Sequence, residues 1–365
     1  MLTPYASAAP GISASSAILI DAASGEALFE HNADAGLKIA STTKILTALV
    51  VLERCKLADE VVIKPEYTAV EGSSMYLRAG ERLTVRDLLY GLLLASGNDA
   101  AAALAGHTAG SIDGFAALMN EKAKSLGCEN YGFKNPHGLD ADGHFASARD
   151  LARITAAAME NRDFAEIVST KYVSAAGRAL KNHNKLLWDY AGTLGVKTGY
   201  TKSAGRSLVS CAERGGLRLI CVTISDPDDW GDHAALYDWA FTAYRRFTVL
   251  RGDERRVELP VISGEERTVS VHPDRDYGFT VGRGETVSTT LELPNFVYAA
   301  VIRGARAGTL RVRAGDRLLA EIPLLYSETV RRDEAVKMSA WERVKWAWQF
   351  TNAHGNYSGY RFYGY

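Results

Sequence analysis

No run of 18 apolar residues occurs in this 365-residue chain, so no segment reads as a membrane-spanning helix. Charge of one sign is also missing: 42 basic residues stand against 43 acidic ones, leaving a net −1. That balance excludes the dense positive surface by which nucleic acids are bound. Met1 to Pro10 has neither a basic n-region nor an apolar h-region, so no signal peptide is visible; a protein working outside the cell would have had one removed. Cysteine is sparse. Cys55, Cys128, Cys211 and Cys221 are far apart and form no C-x-x-C pair, so they are expected to be buried free thiols rather than metal ligands. What the chain does have is 47% hydrophobic residues over a length sufficient for two or three domains with sizeable cores.

Ala17–Ala22 and Glu26–Glu30 flank Ser24-Gly25 and predict a β-hairpin. Helical spacing of Ile45, Leu46, Leu49, Val50 and Leu52 predicts a largely buried helix over Thr42–Cys55, with Ser41 at its first turn. Thr84-Val85-Arg86-Asp87 reads as a capping box opening an apolar helix, Leu88–Ala95. That helix should stop at Ser96-Gly97, with the glycine left-handed. Further helices are expected over Asp99–Thr108, Ile112–Ser125 and Leu151–Glu160, with Tyr131–Phe145 a long loop between them. Val196–Thr201, Ser207–Ala212 and Leu217–Ile224 read as strands, and Trp230–Phe247 as a closing helix. A hairpin at one end and strands at the other can share one antiparallel sheet, so residues 10–250 are expected to form an α+β domain. Short β-type runs between Val257 and Leu325 predict a small β-sandwich or barrel over 251–328. Within the last segment, 334–365, Met338, Trp341, Val344, Lys345 and Trp348 fall on one helical stripe, beside Trp346 and Phe350. Such a helix either lies at a membrane interface, rings at headgroup depth, or packs on its own domain.

Three polar clusters carry the chemistry: Ser41-Thr42-Thr43-Lys44, Ser96-Gly97-Asn98 and Lys197-Thr198-Gly199. A serine hydroxyl is a poor nucleophile unless a neighbouring base takes its proton. Three residues apart on a helix, Ser41 and Lys44 share a face and their side chains can meet. Each cluster alone is weak. Their order, their separations and their contexts at a helix start, a helix–helix turn and a strand start are together specific.

With those residues in view, the chain resembles the low-molecular-mass penicillin-binding proteins that act as serine-type D-Ala-D-Ala carboxypeptidases. The resemblance covers roughly residues 10–330. It extends to Ser73-Ser74-Met75-Tyr76, to the stretch from His137 to Gly143 with Ser147-Ala148-Arg149-Asp150, and to Asn184-Lys185-Leu186-Leu187. It implies a penicillin-recognising transpeptidase/β-lactamase-like domain, an antiparallel sheet plus a helical lobe, followed by a small all-β domain. The implied activity removes the terminal D-alanine of a peptidoglycan stem pentapeptide through an acyl-enzyme, without a cofactor or metal and with β-lactams as inhibitors. The implied place is outside the cytoplasm, at the membrane surface through the C-terminal segment.

The expected roles follow. Ser41 attacks the carbonyl of the penultimate D-Ala. Lys44 is the base, held neutral by burial near the charge of Lys197. Ser96 relays a proton to the leaving amine. Asn98 holds the substrate backbone, and Lys197 with Thr198 binds the terminal carboxylate. Backbone N–H groups of Ser41 and of Tyr200, the residue after Gly199, form the oxyanion hole. Some members carry histidine where this chain has Tyr200; only the backbone N–H is needed there.

Two rivals share the motifs. A class A-like β-lactamase deacylates with a loop glutamate followed four residues later by asparagine. Here Glu121, Glu129, Glu160 and Glu166 are followed by Ser125, Phe133, Phe164 and Thr170. A catalytically silent penicillin-binding scaffold would not need Ser41, Lys44, Ser96 and Lys197 intact. Two loops imitate metal sites, His137–His144 and Asp226–His233. A structural floor for the first and helix capping for the second are the better readings.

Overall fold

Ser16–Asp21 (β1) is buried at every residue, with a strand on each edge: it pairs antiparallel with Ala27–His31 (β2) and, on its other edge, with Leu217–Ile224 (β7). The structure is a computed structural model; it describes residues 8–249 and 257–333, together with 341, 342, 344, 345 and 348. Gly205–Arg214 (β6) and Thr193–Thr201 (β5) complete a five-stranded antiparallel sheet in the order β2-β1-β7-β6-β5. The two ends of the unit thus share one sheet, as the patterning predicts, and β5 forms an open edge.

Lys44–Arg54 (α1) follows a 3-10 turn over Ala40–Thr43. Ile45, Leu46, Ala48, Leu49, Val50 and Val51 are all buried, so this helix is wrapped on every side. Val85–Leu93 (α2) opens on the expected box: the Asp87 N–H donates to Thr84 Oγ1 at 3.1 Å and the Thr84 N–H to Asp87 Oδ2 at 3.2 Å. Asn98–Ala109 (α3), Ile112–Ser125 (α4) and Ala148–Met159 (α5) pack around α1. One apolar core joins these helices to one face of the sheet through Ile18, Ile20, Val209, Cys211, Ile220 and Val222. A short helix, Arg162–Ser169 (α6), and a hairpin, Tyr172–Ala175 (β3) with Arg178–Lys181 (β4), follow; neither is among the expected elements.

Two expectations need correcting. The left-handed residue after α2 is Ser96 (φ 59°), not Gly97 (φ −58°). Gly97 is required for room instead: a Cβ there would sit 2.7 Å from Asp99 Oδ1 and 3.2 Å from the Met75 amide. The closing helix, Asp229–Ala243 (α7), ends before Phe247. Tyr244–Val249 is a strand, because Phe247 and Val249 are buried on either side of exposed Thr248, a period of two that a helix cannot satisfy.

The chain divides into two compact units at Ala243/Tyr244. Up to residue 333 the described part of the second unit is built of strands: residues 244–249 pair with 277–282, and a six-stranded sheet carries 287–292, 306–314, 317–326, 268–273, 257–262 and 297–298 in that order. Its own core centres on Leu259, Leu310, Val312 and Ile322. No helix among the described residues is long and apolar enough to cross a membrane. The four thiols are free, with Cys128, Cys211 and Cys221 buried and Cys55 half-buried.

Candidate active site

Ser41 lies in the 3-10 turn, one turn ahead of Lys44, so the helix start itself brings the pair together: Lys44 Nζ is 2.8 Å from Ser41 Oγ. The amine also donates to Asn98 Oδ1 and to the His137 carbonyl, both at 2.7 Å. The Asn98 amide is fixed the right way round, because its Nδ2 donates to the Glu71 carbonyl at 2.6 Å. Both of these acceptors are oxygens that can only accept. The Ser41 hydroxyl is the third partner of the amine; once the amine has lost its proton, two N–H bonds still serve these oxygens and the lone pair is free to take the Ser41 proton. Burial is the first cause that drives Lys44 far below its ordinary value, the positive charge of Lys197 the second, while the Asp99 carboxylate opposes both.

Lys197 reaches the same region from the sheet. Along β5 alternate residues share a face, so Lys197 and Gly199 point together toward the helical layer. At Gly199 a side chain would be crowded: its Cβ would lie 3.0 Å from both the Ile39 carbonyl and the Ser41 amide nitrogen, and backbone would have to shift. Strand and catalytic turn therefore touch backbone to backbone. Lys197 is 1% exposed, and its ammonium donates to the Thr198 carbonyl at 2.8 Å. It has no carboxylate partner among the described residues, and burial pushes it down to about 7. Lys197 does not hydrogen-bond to Ser41 or Ser96; its link to Lys44 is through its charge. Thr198 is half-buried and the Tyr200 side chain is 66% exposed.

Ser96 is 4% exposed on the α2–α3 turn, and its hydroxyl is not tied to Lys44 or to any other described group. A non-glycine residue held left-handed stores about 1 kcal/mol or more of strain, a feature that clusters where geometry serves function. The turn is held by the Gly97 N–H donating to the Gly91 carbonyl at 3.0 Å and the Asn98 N–H to the Ser73 carbonyl at 2.7 Å; the loop facing it is pinned by Asp99, which sequence reasoning missed. Asp99 Oδ1 accepts from the Met75 and Ala100 amides at 3.0 and 2.9 Å, and Oδ2 from Ser74 Oγ and the Leu77 amide at 2.6 and 3.0 Å. Adjacent to Asn98, it looks in sequence like an ordinary first-turn helix cap.

The His137–His144 loop is the floor of the site. Gly138 (φ 88°) leaves no room for a side chain, since its Cβ would overlap the Ala40 carbonyl, and Asn135 Oδ1 accepts its amide at 2.7 Å. His144 Nδ1 accepts from the Lys134 amide at 3.1 Å, so Nε2 carries the proton and donates to Thr43 Oγ1 at 2.9 Å. Burial pushes His144 down to about 4 and His137 to about 3, keeping both neutral. In the second loop, His233 bonds to Ser210 and Thr223, and Asp229 pairs with Arg206 at 2.6 Å. Among the described residues the one trio of potential ligands within mutual reach is Cys55, Asp59 and His107, drawn from neither loop.

A serine beside a buried amine whose proton affinity is lowered, a buried lysine without a carboxylate partner among the described residues and a backbone edge define an acyl-transfer site of the penicillin-recognising class. Residues 3–228 match the D-alanyl-D-alanine carboxypeptidase family, peptidase S11, and residues 244–332 match the C-terminal domain of penicillin-binding protein 5. The chain is 35% identical over 343 residues to the D-alanyl-D-alanine carboxypeptidase DacC of Escherichia coli, covering 88% of this chain and 85% of that one. It is 31% identical to DacF of Bacillus subtilis, covering 87% and 86%. Penicillin-binding protein 5 from Haemophilus influenzae superposes with a TM-score of 0.73 at 29% identity, covering 91% of this chain and all of that one. The chain belongs to the D-alanyl-D-alanine carboxypeptidase family, and its activity is that of a serine-type D-Ala-D-Ala carboxypeptidase. Neither the β-lactamase nor the silent scaffold is favoured.

Proposed function

We propose that the carboxypeptidase reaction runs through Ser41 and Lys44, on peptidoglycan stem pentapeptides at the wall side of the cytoplasmic membrane. Lys44 takes the hydroxyl proton as Ser41 Oγ bonds to the penultimate D-Ala carbonyl. The backbone N–H groups of Ser41 and Tyr200 receive the oxyanion. The C–N bond then breaks, Ser96 passes a proton to the leaving amine of D-alanine, and water later hydrolyses the ester. Asn98 orients the peptide backbone, while Lys197 and Thr198 hold the terminal carboxylate, the charge that Lys197 lacks. A β-lactam, with its own carboxylate, is opened by the same serine and stays as the acyl group.

The observation that carries this reading is the 2.8 Å contact of Lys44 Nζ with Ser41 Oγ, made by an amine that burial and the nearby charge of Lys197 drive well below its ordinary value. Ser41→Ala should abolish D-alanine release from a diacyl-Lys-D-Ala-D-Ala peptide and covalent labelling by fluorescent penicillin. Turnover retained by the variant would remove Ser41 from the role.

The same reading puts the C-terminal segment at the membrane surface. Trp341, Val344 and Trp348 are helical, fall on one stripe and are 77%, 66% and 68% exposed, a free apolar face suited to headgroup depth. Met338, Trp346 and Phe350, expected on or beside that stripe, lie outside the described residues. Deleting residues 334–365 should release the protein from lipid while leaving soluble-peptide turnover unchanged.

A further inference from the structure

Beside the Ser96 turn, at Ala95, lies an open groove of about 650 Å³, walled by the Ser73–Tyr76 loop on one side and by β4 on the other. It shares Lys181 and His183 with a second groove of about 570 Å³, which runs on to Tyr172, Lys185 and Trp188. The first wall is the loop pinned by Asp99, so the grooves begin against the catalytic turn.

Their charge is one-sided. Arg178 is spent on structure: its guanidinium bonds to both oxygens of Glu81 and to the Tyr76 carbonyl, at 2.8–2.9 Å, tying hairpin to loop. Lys171, Lys181 and Lys185 make no ion pair among the described residues, and Asp189 is the one acid lining the second groove. Two of these lysines are held by aromatic faces instead. Lys171 and Lys181 sit 5.7 and 5.4 Å from the Trp188 ring centroid, and Lys181 is also 5.7 Å from that of Tyr172. Tyr172 and Trp188 meet edge to face at 5.6 Å, and both remain exposed. The base is rigid, because Asn182 Nδ2 donates to the Val168 and Thr170 carbonyls and its Oδ1 accepts the Asn184 amide. Ammonium groups fixed on rings without carboxylates form a prepared anion site, and the exposed rings offer faces to sugar C–H bonds.

We propose that this lysine–aromatic surface binds the wall polymer itself, through carboxylates of the peptide stems and pyranose faces of the glycan, outside the scissile dipeptide. The inference rests on the carboxypeptidase reading and deepens it: the surface makes the polymer a better substrate than a short peptide. A carboxylate-bearing glycan strand fits better than a phosphate polymer because aromatic faces accompany the charge and the first groove begins at Ala95, next to the Ser96 turn.

The test uses the full chain carrying Lys181→Gln and Lys185→Gln together. Co-sedimentation with peptidoglycan sacculi stripped of phosphate polymers should weaken about tenfold. D-alanine release from that polymer should fall in step, while kcat/KM on diacyl-Lys-D-Ala-D-Ala stays within about twofold. Unchanged sedimentation, or equal losses on polymer and short peptide, overturns the proposal. So does a loss confined to phosphatidylglycerol vesicles or to phosphate-bearing wall polymer. If the wild-type chain fails on the short peptide, the carboxypeptidase reading fails instead, and sacculus binding still reports on the surface.

Discussion

In the unit that ends at Ala243, Lys44, Asp99 and Lys197 are each no more than 1% exposed, whereas among the described residues from Tyr244 onward the buried polar side chains are Thr280 and Thr309. Burying an ion costs several kcal/mol unless partners compensate, so a fold optimised for stability alone would resemble the second unit. The first unit tolerates the cost at the site where, in the proposed reaction, Lys44 takes a proton and Lys197 receives a carboxylate. The contrast separates residues that hold the molecule together from residues that make it react, and each variant below pushes on one side of it.

The largest effect should come from Lys44→Met. It keeps the volume and apolar stem but removes the base, so kcat for D-alanine release should drop by about 10³-fold or more, with penicillin acylation slowed in parallel. If steady-state and acylation rates stay within tenfold of wild type, the proton goes elsewhere.

Asp99→Asn should act next, on position and on charge. An amide cannot accept four donors, so the Ser74–Leu77 loop loosens from the Ser96 turn and activity should fall about tenfold. The carboxylate also raises Lys44, so its loss lowers Lys44 further and moves the acid limb of the kcat/KM profile to lower pH. A variant with weakened activity but an unmoved acid limb would make Asp99 a structural clamp alone.

Much of this site is legible from residue types, because Ser41, Lys44, Ser96 and Lys197 are chemically distinctive and their motifs fix local context. The sheet is legible for a different reason: β6 and β7 are apolar runs around Arg214-Gly215-Gly216, and a tight turn leaves them one pairing. What escapes notice depends on space or backbone. The His137 carbonyl that fixes Lys44 carries no side-chain signature. Gly97 looks like a left-handed stop, yet crowding by Asp99 and Met75 makes it glycine, and the left-handed strain passes to Ser96. The β3–β4 hairpin is hidden because most of its residues are exposed or half-buried, so no period of two stands out. The expected helix Trp230–Phe247 takes in Tyr244–Phe247, the start of the Tyr244–Val249 strand, because its aromatic and basic residues suit a helix end until the second core claims Phe247.

Lys197 tests the cost of buried charge directly. Its folded pKa of about 7 lies below the ordinary 10.5, so the folded chain holds this proton less tightly than the unfolded chain. The penalty to folding is therefore complete below about pH 7 and fades as pH rises toward the ordinary value. Lys197→Met should abolish productive binding of the terminal carboxylate, yet raise Tm by about 3 °C or more near pH 6.5, a gain of about 1–2 kcal/mol. The gain should shrink near pH 10, where the wild-type lysine is largely neutral when folded. A Tm that falls at both pH values would mean that the Thr198 hydrogen bond outweighs desolvation.

The smallest effect on chemistry should come from the deepest cut in the second unit. Ile322 is fully buried, and Ile322→Ala removes methyl and methylene groups from a core that has little else. The loss should be about 2–5 kcal/mol of that unit's stability. Turnover of a short soluble peptide at 25 °C should stay within about twofold, because Ser41, Lys44, Ser96 and Lys197 all lie in the unit that ends at Ala243. Calorimetry should show one transition moving down by several degrees while the transition that tracks activity stays in place. If both transitions move together and activity falls with them, the second unit supports the catalytic one energetically, and the division into reacting and supporting halves is not a division of stability.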